Sequence, residues 1–122
     1  MHRFEQLEVW KRGMALSSHL HRRARVSASG ADRALWTQVA RASASIPANI
    51  AEGAQRGSDR EFARFLAIAM GSAAELESLL LLARDSGALP EPEARALADE
   101  AVSLRRMAAA VRVRALGLRR RN

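Results

Sequence analysis

The chain has no cysteine and no tyrosine, and lysine supplies one of its twenty basic side chains. Without cysteine there can be no disulfide and no thiolate metal ligand, and a reducing compartment fits the remainder. Aromatic residues amount to 4%, three phenylalanines and two tryptophans, so a core must be built from Leu, Ala, Val, Ile and Met. Long apolar runs are missing too: nothing approaches the roughly 18 uninterrupted apolar residues of a membrane span. The opening segment "MHRFEQLEVWKRG" carries charge throughout and does not read as a secretory signal. A cytoplasmic protein without integral membrane association is expected. β-Branched residues are sparse and no window alternates with period two, which leaves strands without support.

What is present is helical. At 122 residues and 48% apolar content, the chain suits one compact domain and is too short for two. A first helix is expected from about Glu5 to Arg25, with Leu7, Trp10, Met14, Ser17 and His21 on one face. The run "VSASGAD" supplies a loop and an N-cap in Ser29 or Asp32. A second helix carries Leu35, Val39, Ala42, Ile46 and Ile50 to about Arg56, with Gly57 following it. The capping-box pattern "SDRE" opens a third helix at Ser58 that Gly87 stops. "LPEPE" opens a fourth, where proline in the first turn costs no hydrogen bond, and this helix reaches at least Leu116. The third and fourth carry clean apolar seams, Phe62, Leu66, Ala69, Ala73, Leu76, Leu80, Ala83 and Leu97, Ala101, Leu104, Ala108, Val111, Ala115, Leu118. Short loops and these seams predict an all-α, antiparallel, up-down-up-down four-helix bundle over residues 1–122, with a basic tail from about 117.

Within the second helix, "SIPANIAEG" interrupts the rhythm with Pro47, Asn49 and Glu52. Ile46 and Ile50 stay in register across Pro47, so a kinked continuous helix is expected, with Ser43 and Ser45 placed to satisfy freed backbone groups. Gln38, Arg41, Ser45, Asn49 and Glu52 lie near one face, and Ser72 and Glu75 interrupt the facing helix beside Gly71. A structural polar cluster that sets register between the two helices is expected from these seven polar residues. The third helix bears a second apolar line, Phe65, Ile68, Leu79 and Leu82, and Trp36 sits off the main face of the second. Apolar surface on more than one side predicts a subunit interface at these five positions.

Charge is unevenly placed. The formal net charge is +7; seven of the basic residues follow Glu100 and none of the thirteen acidic ones does. Residues 1–25 add a smaller basic excess. A polyanion partner fits this asymmetry, although GC-rich coding also enriches arginine and basic residues near a helix C-terminus complement its dipole. The candidate phosphate contacts are Arg105, Arg106, Arg112, Arg114, Arg119, Arg120 and Arg121, then Lys11, Arg12, Arg22 and Arg23. Chemistry finds little to work with. No Glu-x-x-His pair exists among His2, His19 and His21, and there is no P-loop, GxGxxG or nucleophile elbow. No catalytic, metal or cofactor site is expected.

The elements "FEQLEVWKRGMAL", "QVARASASIPANIAEG", "SDREFARFLAIAMGSAAELE" and "LLARDSG" occur in order over nearly the whole chain. Together they resemble the four-helix-bundle proteins encoded by intervening sequences in bacterial 23S rRNA genes. The resemblance implies a ring-like homopentamer and kinship with accessory proteins of diversity-generating retroelements, basic rings that bind nucleic acid and a reverse transcriptase. The chain lacks the tyrosines often present in the first two helices of such proteins. A nonenzymatic oligomer binding RNA or other nucleic acid through nonspecific phosphate contacts is therefore expected. The alternative is a protein-interaction scaffold, for a polymerase for example, with no nucleic-acid role of its own.

Overall fold

The computed structural model describes residues 3–27 and 30–117. Its elements are a 3₁₀ turn at Phe4–Gln6, α1 (Glu8–Ser27), a second 3₁₀ turn at Gly30–Asp32, α2 (Arg33–Ala54), α3 (Asp59–Asp85) and α4 (Glu91–Ala115). No strand occurs among the described residues. Each helix packs on its neighbours in sequence, and α1 and α4 close the bundle more loosely. The cross-helix contacts run in opposite directions along each pair, which makes the bundle antiparallel. Ser17 meets Ser43 across α1–α2 while Gly13 faces Pro47; Ser45 meets Ser72 across α2–α3 while Gly53 faces Phe65. Arg12 meets Glu100 and Arg23 meets Glu93 across α1–α4.

The ends of the helices follow from local chemistry. Ser58 adopts an extended conformation and its hydroxyl accepts from the Glu61 amide at 3.1 Å, capping α3. The Glu61 carboxylate is turned to Arg64, two bonds at 3.0 and 3.2 Å. Gly87, at φ +84°, lets the chain turn back on itself. The Ala88 amide then donates to the Ala83 carbonyl at 2.9 Å, and Leu89 is delivered to the core. Pro92 occupies the first turn of α4, and Asp32 precedes α2 without a side-chain cap.

The first helix departs from expectation. It begins at Glu8 after the 3₁₀ turn, and its buried face is Val9, Gly13, Leu16, Ser17 and Leu20. Met14 and His21 face outward. The reason is Gly13: a Cβ there would lie 3.4 Å from Cδ of Pro47 and 3.6 Å from the Ile46 side chain. The bare glycine face lets α2 approach, so the helix turns that side inward instead of the Met14 side. α2 ends at Ala54, two residues before the expected Arg56, and remains one helix through Pro47.

Trp36 and Phe65 require a correction as interface residues. Trp36 is 1% exposed and Phe65 is 8% exposed within the single chain. Both helices lie between two partners, so their apolar arcs are wide: Trp36 occupies the α1 side of α2 beneath Arg23, and Phe65 the α2 side of α3 against Gly53. Leu79 is half-buried, while Ile68 and Leu82 stay 42% and 53% exposed. By length and mean hydropathy, 1.7 over 18 residues, α3 alone would pass as a membrane span. Its seam Phe62, Leu66, Ala69, Ala73, Leu76 and Leu80 is instead buried in the bundle core.

Candidate nucleic-acid interface

The second helix carries one hydroxyl bridge on each flank. On the α1 side, buried Ser43 Oγ lies 3.0 Å from Ser17 Oγ and donates to the Ala40 carbonyl at 2.7 Å. Toward α3, Ser45 Oγ and Ser72 Oγ are 2.7 Å apart. Asn49 Nδ2 donates to the Ser45 carbonyl at 2.8 Å and to Ser45 Oγ at 3.0 Å. Buried hydroxyls must be paired, and each bridge is satisfied only when the two helices stand at one axial register. Ser45, Asn49 and Ser72 are thus brought together. Gln38, Arg41 and Glu75 are exposed, and Glu52 pairs with Arg56, just past the end of its helix, at 3.3 Å. Ser17 and Ser43 complete the device. The sequence set Ser17 on a packed face and Ser43 against backbone freed by Pro47, and their pairing across α1–α2 had no local signal.

The basic side chains divide into two groups. Arg12 donates from Nε and Nη2 to the two oxygens of Glu100, at 3.1 and 2.5 Å, and Nη1 lies 3.2 Å from Met107 Sδ. Arg23 grips Glu93 in the same two-pronged way, at 2.7 and 3.2 Å, and its guanidinium lies 5.4 Å from the Trp36 ring centroid. The Arg23 hydrogen bond holds the Glu93 carboxyl below the usual carboxylate range against the opposing effect of burial. Arg112 Nε donates to the Ala63 carbonyl at 3.0 Å, pinning the end of α4 to the start of α3. Arg12, Arg23 and Arg112 therefore serve the fold, which corrects their expected place among side chains turned to a ligand.

Lys11, Arg22, Arg106 and Arg114 are exposed, Arg105 is half-buried, and no ion pair engages any of the five among the described residues. Arg119, Arg120 and Arg121 lie outside the described residues. The antiparallel arrangement adds arginines that were not among the candidates. The Arg112–Ala63 bond places Arg114 at the end of the bundle where α3 begins, the end that also carries Arg56, Arg60 and Arg64. Two of these, Arg56 and Arg64, lie 4.8 and 4.6 Å from the Phe65 ring centroid, and Arg60 is exposed on the first turn of α3. Stacking on Phe65 limits the freedom of the two guanidiniums. The spacing of Arg56, Arg60 and Arg64 in sequence, four residues at each step around an ordinary helix start, carried no separate signal.

A shallow cleft of about 240 Å³ opens at this end, lined by Leu7, Asp59, Phe62, Val111, Arg114 and Ala115. It has the mixed character of a contact surface more than of a reaction site. No group of three or more His, Asp or Glu side chains is arranged to hold a metal ion among the described residues.

In comparison with protein families, the model described as 23S rRNA-intervening sequence protein matches residues 5–110. Among curated proteins, none matches. With a match over most of its length, the chain belongs to the 23S rRNA-intervening sequence protein family.

Proposed function

We propose that this protein is a nonenzymatic, self-associating bundle that binds RNA or other nucleic acid through nonspecific phosphate contacts at its basic end. The observation that carries this reading is that the Arg112–Ala63 bond brings the end of α4, with exposed Arg114, to the start of α3, which carries exposed Arg60 on its first turn. Guanidinium groups on exposed helical turns suit phosphate oxygens, and the net +7 of the chain favours a polyanion. Base readout at this end would be weak, because Phe65 and Phe62 are buried and cannot stack on bases. Repetition of the basic end in an assembly would raise avidity without new contacts.

Self-association rests on Ile68 and Leu82, exposed on α3, with half-buried Leu79 and exposed Glu75 on the same side. A ring of five copies in the cytoplasm is the form we propose. The same apolar face favours a second reading, a scaffold that docks another protein, such as a polymerase. Light scattering coupled to size exclusion at low and high salt, with the 260/280 absorbance ratio, separates them. A mass near five subunits that carries nucleic acid at low salt and sheds it at high salt supports the basic assembly. A nucleic-acid-free assembly at low salt moves the function to the scaffold, and a monomer removes self-association altogether.

A further inference from the structure

Between Val9 and Ala51 the chain has one acidic residue, Asp32, against Lys11, Arg12, Arg22, Arg23, Arg25, Arg33 and Arg41. Folding turns Arg12 and Arg23 toward carboxylates of α4. The rest of this charge stays on the α1–α2 hairpin, where the two helices border a groove of about 500 Å³. Its walls are His21, Ala24 and Arg25 from α1 and Trp36, Thr37, Ala40 and Arg41 from α2, with no carboxylate among the lining residues. A smaller depression of about 280 Å³ shares His21 and Arg25 and adds Arg22.

The groove is built differently from the basic end of the bundle. Two alanines leave room for a flat body between the helices, and a volume within the range of about 300–1,000 Å³ suits a small organic ligand. Exposed Arg25 and Arg41 stand on opposite walls, with no ion pair among the described residues. A guanidinium can stack on a planar ring as well as grip a phosphate. His21 adds a polar ring edge, held by its own helix: Nδ1 lies 2.8 Å from the Ser17 carbonyl and 3.3 Å from Ser17 Oγ. Trp36, also on the wall, holds the one buried side-chain polar atom without a partner among the described residues, its indole N–H. A bare inorganic anion would use the arginines and leave the apolar part of this space empty. A ligand with a phosphate, a flat ring and edge donors and acceptors uses all of it.

We propose that the α1–α2 groove binds a nucleoside 5′-monophosphate group, either as a free nucleotide or as the 5′-terminal nucleotide of a nucleic acid. Arg25 and Arg41 hold the phosphate, the Ala24 and Ala40 methyl groups face the base, and His21 hydrogen-bonds the base or ribose. This site is separate from the phosphate contacts at the bundle end, and either can fail alone.

The test is a titration of the full ¹⁵N-labelled chain at fixed ionic strength, following the indole N–H resonances of Trp10 and Trp36. With 5′-AMP, the Trp36 resonance is expected to shift saturably while that of Trp10 stays in place. Inorganic phosphate and adenosine should each bind at least about tenfold more weakly than 5′-AMP, since each lacks half of the contacts. Substituting Arg25→Gln or Arg41→Gln should weaken 5′-AMP about tenfold apiece; both positions are exposed, and an unchanged melting temperature would confirm that the variants fold. An oligonucleotide with a 5′-phosphate binding tighter than its 5′-hydroxyl counterpart would assign the chain terminus as the source. Equal affinity for the two oligonucleotides, beside saturable 5′-AMP binding, would assign the free nucleotide. No shift of Trp36 with millimolar 5′-AMP, equal affinity for inorganic phosphate, or undiminished binding in both the Arg25→Gln and Arg41→Gln variants would each overturn the proposal.

Discussion

On the flank where α1 meets α4, Arg12 and Arg23 are each clasped by both oxygens of a glutamate from the other helix. At the end where α4 runs out beside the first turns of α3, Arg60, Arg106 and Arg114 face solvent. Both regions are rich in arginine, yet the first is closed on itself, whereas at the second Arg56 and Arg64 pair with Glu52 and Glu61 and no ion pair among the described residues engages Arg60, Arg106 or Arg114. The contrast comes from topology: antiparallel packing sets Glu93 and Glu100 against α1, whereas the last turns of α4 bring no acid of their own. The count of arginines in a segment therefore does not measure the charge available to a partner.

The largest expected effect breaks the open end at its foundation. A Cβ at Gly53 would lie 2.5 Å from Phe65 Cβ and 3.3 Å from the Phe62 carbonyl oxygen, whereas at Gly71 it would meet nothing within 4 Å. Gly53→Ala should cost about 3 kcal/mol through forced separation of α2 and α3, lowering Tm by about 10 °C. Gly71→Ala should be neutral or stabilise by up to about 1 kcal/mol as a better helix former. Thermal melts of the two variants side by side check the pair.

Next comes the charge contrast itself. Replacing Arg60, Arg106 and Arg114 together with Gln should weaken single-stranded RNA about 100-fold near 50 mM salt and flatten the salt slope by about 2. Arg12→Gln with Arg23→Gln should leave RNA affinity within about twofold, while each lowers stability by at most about 1 kcal/mol after solvent screening. Fluorescence polarisation and urea melts on both variants would reveal a reversed order, which would erase the distinction between the two regions.

A smaller effect separates polar register from charge. Ser72→Ala leaves Ser45 Oγ without its α3 partner and should cost about 1 kcal/mol by urea melt. The smallest effect is one of pH. The folded Glu93 carboxyl titrates below its unfolded value, so its stabilisation is complete above the ordinary carboxylate range and is lost as pH falls through the folded value. Wild type should lose about 1 kcal/mol or less by this route on acidification, and Glu93→Gln should lack that part of the decline.

The four helices and their order were legible because Ser58, Gly87 and the "LPEPE" turn mark ends chemically and the α3 and α4 seams repeat without interruption. The inward face of α1 was not legible. Periodicity rewards Met14 over Gly13, while packing rewards the residue that admits Pro47. Ser45, Asn49 and Ser72 were readable as polar intrusions at helical spacing; Gln38, Arg41, Glu52 and Glu75 share that spacing yet stand at the solvent edge of it. Trp36 and Phe65 looked like surplus apolar surface because a single-face pattern cannot show that a helix has two neighbours. The engagement of Arg12, Arg23 and Arg112 depended on partners 88, 70 and 49 residues away, which no local pattern contains.

The most direct test of the central claim is a salt titration of wild-type binding to an unstructured single-stranded RNA. Log Kobs should fall linearly with log salt at a slope of about −3 to −5, the release expected from roughly four to seven phosphate contacts. Absence of binding at 50 mM salt, or binding that ignores salt, would contradict a function built on the open basic end.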